Sequence, residues 1–337
     1  MNKLATIVIP NWNGKDLLSN CLKSLERQTY EPFEVLVIDN GSTDGSIECI
    51  ESNYPYVKII CFEQNQGFSV AVNAGIKKAK GDYIVLLNND TEAEPDWLEN
   101  LVSAMEKHPD IGFGASKMLN YYQRDKVDSA GDRVGVYPYP RGIDCQDGPQ
   151  YSVEQEIFSA CAGAAIYRKE IFEKVGMFDE EFFAYYEDVD LCYRAQWLGI
   201  KGMYFPQAII YHVHMATSKR IPRLSFILNS RNVFFVHLKN TPRKLLGNVV
   251  LTLTILRFLS LIRFAIKSKD IKILFELPKE IVRNIPMMLS KRRQIMNSAV
   301  LNQEEMIQLL DPIEPFYKFV LKKIRKKLFS TKESQVH

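Results

Sequence analysis

The sequence lacks the short motifs of several common classes of protein. Its first β-rich run is not followed by G-x-G-x-x-G, and no G-x-x-x-x-G-K-[ST] phosphate loop occurs. The first absence argues against a dinucleotide-dependent oxidoreductase, and together they mean that Asp and Asn side chains and a metal would hold any nucleotide. The six cysteines include no C-x-x-C pair, which favours reduced thiols in a cytosolic compartment.

Long uninterrupted apolar runs are also scarce. The apolar run at the N-terminus is short and ends in polar residues, so we expect no signal peptide. The apolar segment 245–262 is interrupted by Arg257 and closed by Arg263, whereas a spanning helix needs about 20 residues with few charges. We therefore expect this segment to lie in a membrane interface or to dock on its own domain.

Charge is distributed unevenly along the chain. The formal net charge is +3, but residues 1–215 carry 19 Lys and Arg against 32 Asp and Glu, and residues 216–337 carry 24 against 8. The basic runs 291–293 and 322–327 lie on amphipathic patterns. A solvated helical face is one explanation, but attraction to an anionic membrane surface fits better. No basic groove interleaved with aromatic residues is evident, so we expect no nucleic-acid partner.

The order of predicted elements indicates an α/β fold. Over the first 120 residues, β-rich runs at 4–9, 33–39, 57–62 and 82–90 alternate with helical patterns at 15–28, 42–54, 69–81 and 95–108. Such alternation predicts a mainly parallel, doubly wound sheet with helices on both faces. Residues 120–156 are predicted to form a long loop, of the kind that often serves as a functional lid. A strand followed by a helix is predicted at 157–176, and a helical, basic region at 216–337.

Polar residues follow the predicted strands. In a parallel α/β sheet, ligands bind beyond the carboxyl ends of the strands, where this chain places Asn11, Asp39 and Asp90. Turn and cap chemistry explains residues 42–44. Asp39 and Asp90 each end a buried strand, where a carboxylate is rarely placed for solubility, so we interpret them as functional.

Six segments, in this order, resemble family 2 glycosyltransferases of the GT-A fold, in particular the rhamnosyltransferase-like branch: VIPNWNG, VIDNGSTDGS, NQGFSVAVNAGI, GDYIVLLNNDT, CAGAAIYRKEIF and EDVDLCYRAQWLG. The resemblance covers roughly residues 4–240. It implies that residues 1–215 form a catalytic domain that binds a nucleoside-diphosphate sugar. It also implies a divalent metal, Mg²⁺ or Mn²⁺, on the diphosphate.

The resemblance also assigns nucleotide-binding residues. It implies that Asp39 contacts the base and that Pro10 and Asn11 lie along it, with Asn65 and Gly67 nearby. Asn89 is expected to bind the nucleotide sugar. Gly163, among small residues in ACAGAA, would leave room for the donor sugar, although tight packing of sheet on helix explains the same residues.

The metal motif is unusual. By the resemblance, Asp90 is the last member of a D-x-D-like motif, but here the motif reads Asn88-Asn89-Asp90 and keeps one carboxylate. Mg²⁺ and Mn²⁺ accept such sparse protein ligation because phosphates and waters complete their shells. In some relatives a later histidine is a ligand, and His212 fits this role better than His214.

The stretch FFAYYEDVDLCYR contains three acids within four positions. A helix that starts near Glu187 places Asp188 on its inward face with Leu191 and makes Asp190 a surface partner of Arg194. Burial would raise the pKa of Asp188 and the helix N-terminus would lower it, and the sequence leaves the balance open. The resemblance makes Asp188 the catalytic base and Glu187 an orienting residue or alternate base. The aromatic residues form either a wall for sugar rings or plain core.

These features predict an inverting, non-processive, metal-dependent glycosyltransferase. It would move a sugar such as rhamnose to a growing cell-surface glycan or lipid-linked acceptor. The Q-x-x-R-W motif of processive relatives is absent. We expect a cytoplasmic protein attached peripherally to the inner face of the membrane through residues 216–337. The alternative is a catalytically weak scaffold of the same fold that binds nucleotide sugar or glycan.

Overall fold

A computed structural model of the chain describes residues 2–214 and 220–313. The strands are β1 (Ala5–Asn11), β2 (Phe33–Asp39), β3 (Lys58–Cys61), β4 (Tyr83–Leu87), β5 (Thr91–Ala93), β6 (Ile111–Asn120), β7 (Val127–Ser129), β8 (Asp132–Val134), β9 (Pro138–Pro140), β10 (Gln155–Ile157), β11 (Ala164–Arg168) and β12 (Lys201–His212). The α-helices are α1 (Lys15–Leu25), α2 (Ser46–Asn53), α3 (Phe68–Lys78), α4 (Trp97–Lys107), α5 (Ile171–Val175), α6 (Glu187–Trp197), α7 (Pro222–Asn240), α8 (Arg243–Ser268), α9 (Ile273–Ser298) and α10 (Gln303–Leu309).

One large sheet organises the first 214 residues. Its strands run in the order β10-β12-β6-β11-β4-β1-β2-β3, with β5 paired to β12 and β7 to β6. Strands β3, β2, β1 and β4 are mutually parallel, β12 is parallel to β6, and β11 is antiparallel to both of its neighbours. This confirms the predicted mainly parallel sheet. In the β1–β2 register Asn11 lies opposite Asp39, so the polar ends meet at one edge.

The sheet is covered on both faces. Successive residues of a strand point to opposite faces, so Ile7 packs in one core cluster with Leu18 of α1, and Val8 packs in the other with Val72 of α3. Strand β1 is buried at every position but one. A strand buried on both faces reads as a continuous apolar run, and this is why the strands were predictable.

The prediction of a long loop at residues 120–156 was wrong in part. This segment contains strands β7, β8 and β9, and strand β6 before it was not predicted. Glycines weaken the strand pattern of β6, yet they are needed for close packing. A Cβ at Gly114 would lie 2.2 Å from Cε2 of Phe205 on β12. The glycines of β6 are therefore explained by a partner strand that is distant in sequence, and β6 could not be recognised from its own residues.

Helices follow the sheet from Pro222 onward. Helix α8 contains the apolar segment 245–262, and among the described helices it is the one long and apolar enough to cross a membrane. Val189 and Trp197 of α6 pack with Val233 of α7 and Met288 of α9 in one apolar cluster. The basic run 322–327 lies outside the described residues.

A buried ion network joins these helices to α6. The Lys239 Nζ lies 2.6 Å from Asp179 Oδ2 and 2.7 Å from Asp190 Oδ1, and Lys291 Nζ lies 2.6 Å from Asp179 Oδ1. Asp190 also accepts from Arg194, with an Nε–Oδ2 distance of 2.9 Å. The predicted pair therefore exists, but its placement on the surface was wrong, because Asp190 is fully buried. The sequence could not reveal this, since the second cation comes from α7.

Removal of Lys239 tests the network. Lys239→Met leaves two buried carboxylates short of a cation, so we expect the free energy of unfolding to fall by about 3–5 kcal/mol. Urea denaturation at neutral pH measures the change. The control is Lys244→Met, which breaks a surface pair with Glu304 and should lose no more than about 1 kcal/mol. Equal losses in both variants would contradict a stabilising role of the buried network.

Candidate active site

Three of the predicted nucleotide-binding side chains form one hydrogen-bonded group at the carboxyl edge of the sheet. Asn11 Nδ2 donates to Asp39 Oδ1 over 3.1 Å, and Asn89 Nδ2 donates to Asn11 Oδ1 over 2.7 Å. The backbone N–H of Ser42 donates to Asp39 Oδ2 over 2.9 Å. Asp39 is fully buried, so its carboxylate is held in one orientation. Pro10 precedes Asn11 in β1 and is half-buried.

Asn65 and Gly67 lie beside this hydrogen-bonded group. The Gly67 N–H donates to Asn65 Oδ1 over 2.9 Å, and Asn40 Nδ2 donates to the Gly67 carbonyl over 3.0 Å. Gly67 has φ +93°, and a Cβ there would lie 2.6 Å from the carbonyl oxygen of Phe183. Glycine is therefore required by its backbone conformation and by the close approach of the segment that leads into α6.

The segment before α6 has a strained backbone. Three of its residues have positive φ angles of 64°, 74° and 67°, namely Phe183, Tyr185 and Tyr186. Such conformations cost about 1–3 kcal/mol each and persist only where the surroundings enforce them. The Asn232 side-chain nitrogen lies 2.8, 2.8 and 2.9 Å from three carbonyl oxygens, those of Phe182, Ala184 and Tyr185. Helix α7 thus fixes the approach to the two acids at the start of α6.

The acids at the start of α6 have different surroundings. Asp188 is partly exposed, and its carboxylate accepts from the N–H groups of Ala162 over 3.0 Å and Val189 over 2.8 Å. Burial nevertheless raises the pKa of Asp188, because these bonds compensate only in part. Glu187 is buried, and its Oε2 has no hydrogen-bond partner among the described residues. Burial, and then the charge of Asp188, raise the pKa of Glu187 well above its ordinary value.

A third acid, Asp132 of β8, was missed by sequence reasoning. It is buried, and burial and the nearby charge of Asp188 raise its pKa well above the ordinary value. Because neighbouring acids cannot all ionise easily, Glu187 and Asp132 tend to hold protons while Asp188, with two N–H donors, is the most readily ionised of the three.

Asp90 and His212 face each other. The Nε2 of His212 lies 3.3 Å from Asp90 Oδ1, and both residues are buried. A Mg²⁺ ion binds oxygen at about 2.0–2.1 Å in octahedral geometry, which separates adjacent ligand atoms by about 3 Å. The spacing and the donor types therefore fit a divalent ion that takes its remaining ligands from phosphate and water.

Asp128 of β7 completes this cluster. Its Oδ2 lies 2.7 Å from His212 Nδ1, and its Oδ1 lies 2.9 Å from His214 Nδ1. A carboxylate on the far nitrogen of a metal-binding histidine fixes the ring and increases its basicity. Sequence reasoning missed Asp128 because it lies in the segment predicted as a loop. The sequence pattern that could have revealed Asp128 is an acid within a short β-rich run, and this pattern is too common to single out one residue.

Protons and metal compete at this cluster. Burial lowers the pKa of His212, but hydrogen bonds to Asp128 and Asp90 outweigh it and raise the pKa to about 10. Burial likewise raises the pKa of Asp128, but its bonds to His212 and His214 lower it to about 2. The raised pKa favours the imidazolium form of His212 at neutral pH, and a metal at this cluster would have to displace that proton.

The remaining predicted residues lie close by. The Gly163 carbonyl accepts from the Asn88 N–H over 2.9 Å, and a Cβ at Gly163 would lie 3.0 Å from Asn88 Nδ2. Close packing thus accounts for a small residue here. Phe182 is core, because it is fully buried and packs edge-on against Phe235. Tyr185 and Tyr186 are partly exposed.

Fold and comparisons identify the class of protein. The architecture is that of GT-A glycosyltransferases: the structure of the mannosyltransferase PcManGT from Pyrobaculum calidifontis, in complex with GDP-Man and Mn²⁺, superposes with a TM-score of 0.55 at 15% identity, over 88% of this chain and 86% of that one. Residues 6–176 match the family described as Glycosyl transferase family 2. The chain belongs to this family.

Two curated relatives illustrate the range of the family. The N-acetylglucosaminyl-diphospho-decaprenol L-rhamnosyltransferase of Mycobacterium tuberculosis (strain ATCC 25618 / H37Rv) is 27% identical over 66% of this chain and 80% of its own length. The O-antigen biosynthesis protein RfbC of Myxococcus xanthus is 29% identical over 66% of this chain and 18% of its own length. Two other curated relatives are matched over only 25% and 33% of their own length.

Asp128→Asn tests the metal cluster. The change removes the charge that orients His212, so we expect the affinity for Mn²⁺ to fall about 10- to 100-fold. Isothermal titration with Mn²⁺ and a nucleoside diphosphate measures this. For the unmodified protein, affinity should rise with pH, by about tenfold per unit for each proton displaced. The control is Asp125→Asn, a nearby acid whose carboxylate accepts from Gln146. An unchanged affinity in Asp128→Asn would exclude the proposed orienting role.

Proposed function

We propose that this chain is an inverting, non-processive, metal-dependent glycosyltransferase whose donor is a nucleoside-diphosphate sugar. The observation that supports this best is the contact between two parts of the site. Ala162 donates to Asp188, and the next residue, Gly163, accepts from Asn88 of the Asn88-Asn89-Asp90 motif. The candidate base and the candidate metal motif therefore lie on either side of the start of β11.

The donor half of the site is the Asn11–Asp39 group with Asn65 and Gly67 beside it. Asp39 offers a fixed, buried acceptor, which suits the N–H and O–H donors of a nucleoside. We propose that Asp39 and Asn11 hold the nucleoside, that Pro10 lines it, and that Asn89 and Gly163 lie toward the sugar. A solved protein of the same fold is described with GDP-Man and Mn²⁺, which is consistent with this ligand class.

Asp90 and His212 would hold Mg²⁺ or Mn²⁺, with Asp128 orienting the histidine. When bound, such an ion neutralises the leaving diphosphate, so no protein acid is needed there. Another solved protein of the fold is described with UDP, GalNAc and Mn²⁺. The loss of the second carboxylate at position 88 is offset in charge by the buried Asp128.

Asp188 is the proposed base. It takes the proton of the acceptor hydroxyl while that oxygen forms a bond to the anomeric carbon from the face opposite the leaving group. The bond from the anomeric carbon to the diphosphate oxygen breaks, and its electron pair leaves with the diphosphate, which inverts the configuration. The two N–H donors on Asp188 hold the carboxylate in place, and its raised pKa makes it a stronger base than an exposed aspartate. Glu187, protonated beside it, would orient the acceptor.

The acceptor and location are also proposals. The name of the mycobacterial relative specifies L-rhamnose and a diphospho-decaprenol acceptor, and we propose rhamnose and a lipid-linked acceptor or growing cell-surface glycan here. Residues 1–215 would be the catalytic part, and the helical remainder would attach the protein to the cytoplasmic face of an anionic membrane. A scaffold without catalysis is less well supported, because its main argument was the single-carboxylate motif, and Asp128 supplies a second acid.

Paired substitutions test the base. Asp188→Asn removes the proton acceptor, so we expect kcat to fall by about 10²–10⁴-fold. Glu187→Gln mimics the protonated acid and should retain most activity. Equal losses in both would contradict the assignment of the base to Asp188.

The pH profile gives an independent test of the same base. The pKa of Asp188 is raised, so the active carboxylate is lost as pH falls through that raised value. The acid limb of kcat should therefore lie above 3.8, the ordinary value for an aspartate. An acid limb at or below that value would argue against a buried base.

A donor screen tests the function as a whole. Purified protein is incubated with dTDP-rhamnose, UDP-hexoses or GDP-sugars, with Mn²⁺, with Mg²⁺ and with EDTA, and release of the nucleoside diphosphate is measured. We expect turnover of one donor that requires the metal and is lost in Asp90→Ala. Binding of a donor without metal and without turnover, even with glycan acceptors present, would favour the scaffold instead.

A further inference from the structure

We infer that the turn between α8 and α9 docks on an anionic lipid bilayer. The docking surface consists of Leu259, Ile266, Ile271, Phe275 and Val282, and is called the tip surface below. This inference rests on the proposed function, because it specifies how that enzyme would reach a lipid-linked acceptor.

The tip surface is apolar and exposed. Ile266, Ile271 and Phe275 are 74%, 70% and 73% exposed, within ten residues of chain. Leu259 lies seven residues before Ile266, and Val282 seven after Phe275, so each pair shares a helix face; both are more than half exposed. Single exposed apolar residues are ordinary, but a contiguous group of large ones marks an interaction surface.

The basic residues around the tip surface favour an anionic partner. Six exposed basic residues lie within or beside it: Arg263, Lys267, Lys269, Lys272, Lys279 and Arg283. Arg263 is placed between Leu259 and Ile266 on one helix face, and Lys279 between Phe275 and Val282. Long basic side chains among apolar residues can reach phosphate headgroups while their stems stay in the acyl boundary.

The acids of the same region do not neutralise these cations. Asp270 and Glu276 both pair with Arg223, and Glu280 pairs with Arg231, so all three acids are taken by α7. In the part of the chain that the structure describes, none of the six basic residues forms an ion pair with a carboxylate. The tip surface thus presents uncompensated positive charge with apolar side chains, which complements an anionic bilayer and not an acidic, fully polar protein face.

Arg220 and the first turns of α7 connect the tip surface to the sheet edge at Asn13. Arg220 donates to the carbonyl oxygen of Asn13 over 2.6 Å, at the nucleotide edge of the sheet. Three residues later, Arg223 Nε binds Asp270 Oδ2 over 2.7 Å. Phe226 stacks on Phe264 of α8 with ring centroids 4.0 Å apart. Docking of the tip would therefore place the bilayer on helices that are linked through these contacts to the sheet edge at Asn13, near the headgroup layer where a lipid-linked sugar is presented.

Vesicle binding tests the inference. The full chain is sedimented with vesicles of equal parts phosphatidylglycerol and phosphatidylcholine, and with phosphatidylcholine alone, at low and high salt. We expect binding to the anionic vesicles that weakens with salt and falls at least about tenfold in Ile271→Ser/Phe275→Ser. The matched control is Val153→Ser/Val300→Ser, which changes two residues outside the tip surface that are 60% and 72% exposed. Hydrolysis of a soluble donor should be unchanged in both.

Each other outcome is decisive. Equal binding by the tip variant and the control would overturn the inference and direct attention to other basic segments. Protein that stays in the bilayer after an alkaline wash, in wild type and tip variant alike, would mean that α8 spans the membrane. Failure to bind vesicles with normal donor turnover would refute the docking surface alone, whereas vesicle binding without turnover would refute the proposed enzyme and leave the surface intact.

Discussion

The segment that leads into Glu187 and Asp188 depends on one contact, the side-chain amide of Asn232. It holds the carbonyl groups of a segment in which three residues adopt left-handed backbone conformations. Phe183 of that segment packs closely against Gly67, and the segment leads directly into Glu187 and Asp188. Because Asn232 belongs to α7, the helical region is a structural part of the candidate active site and not an appendage to it.

The metal cluster shows how a reduced motif is compensated elsewhere in the fold. Position 88 carries asparagine, so the short motif itself supplies one carboxylate. Asp128, on the far side of His212, supplies a second buried carboxylate. Asp90 and His212 would hold the ion, and Asp128 would act on it through the imidazole ring. The number of carboxylates in the motif at residues 88–90 therefore does not give the charge of the folded site.

Much of the fold was predictable because strands β1, β2 and β4 are buried on both faces and have continuous apolar sequences. The convergence of Asn11, Asp39 and Asn89 was likewise predictable, since parallel strands end at a common edge. Strand β6 was not, because its glycines are explained only by Phe205, and neither was the burial of Asp190, because Lys239 lies in another helix. Asp128 and Asp132 were missed for the same reason: their partners are distant in sequence, and no local pattern records them.

The buried network of Asp179, Asp190, Lys239 and Lys291 has a consequence for biosynthesis. The strands that form the nucleotide edge leave the ribosome early and can pair among themselves. Helix α6 must wait, since Asp190 receives Lys239 only after α7 has been made, and Asp179 receives Lys291 only after most of α9 has been made. A nascent chain would thus form the edge with Asn11 and Asp39 first and an ordered Asp188 last, so that the proposed activity would begin only when the helices are complete.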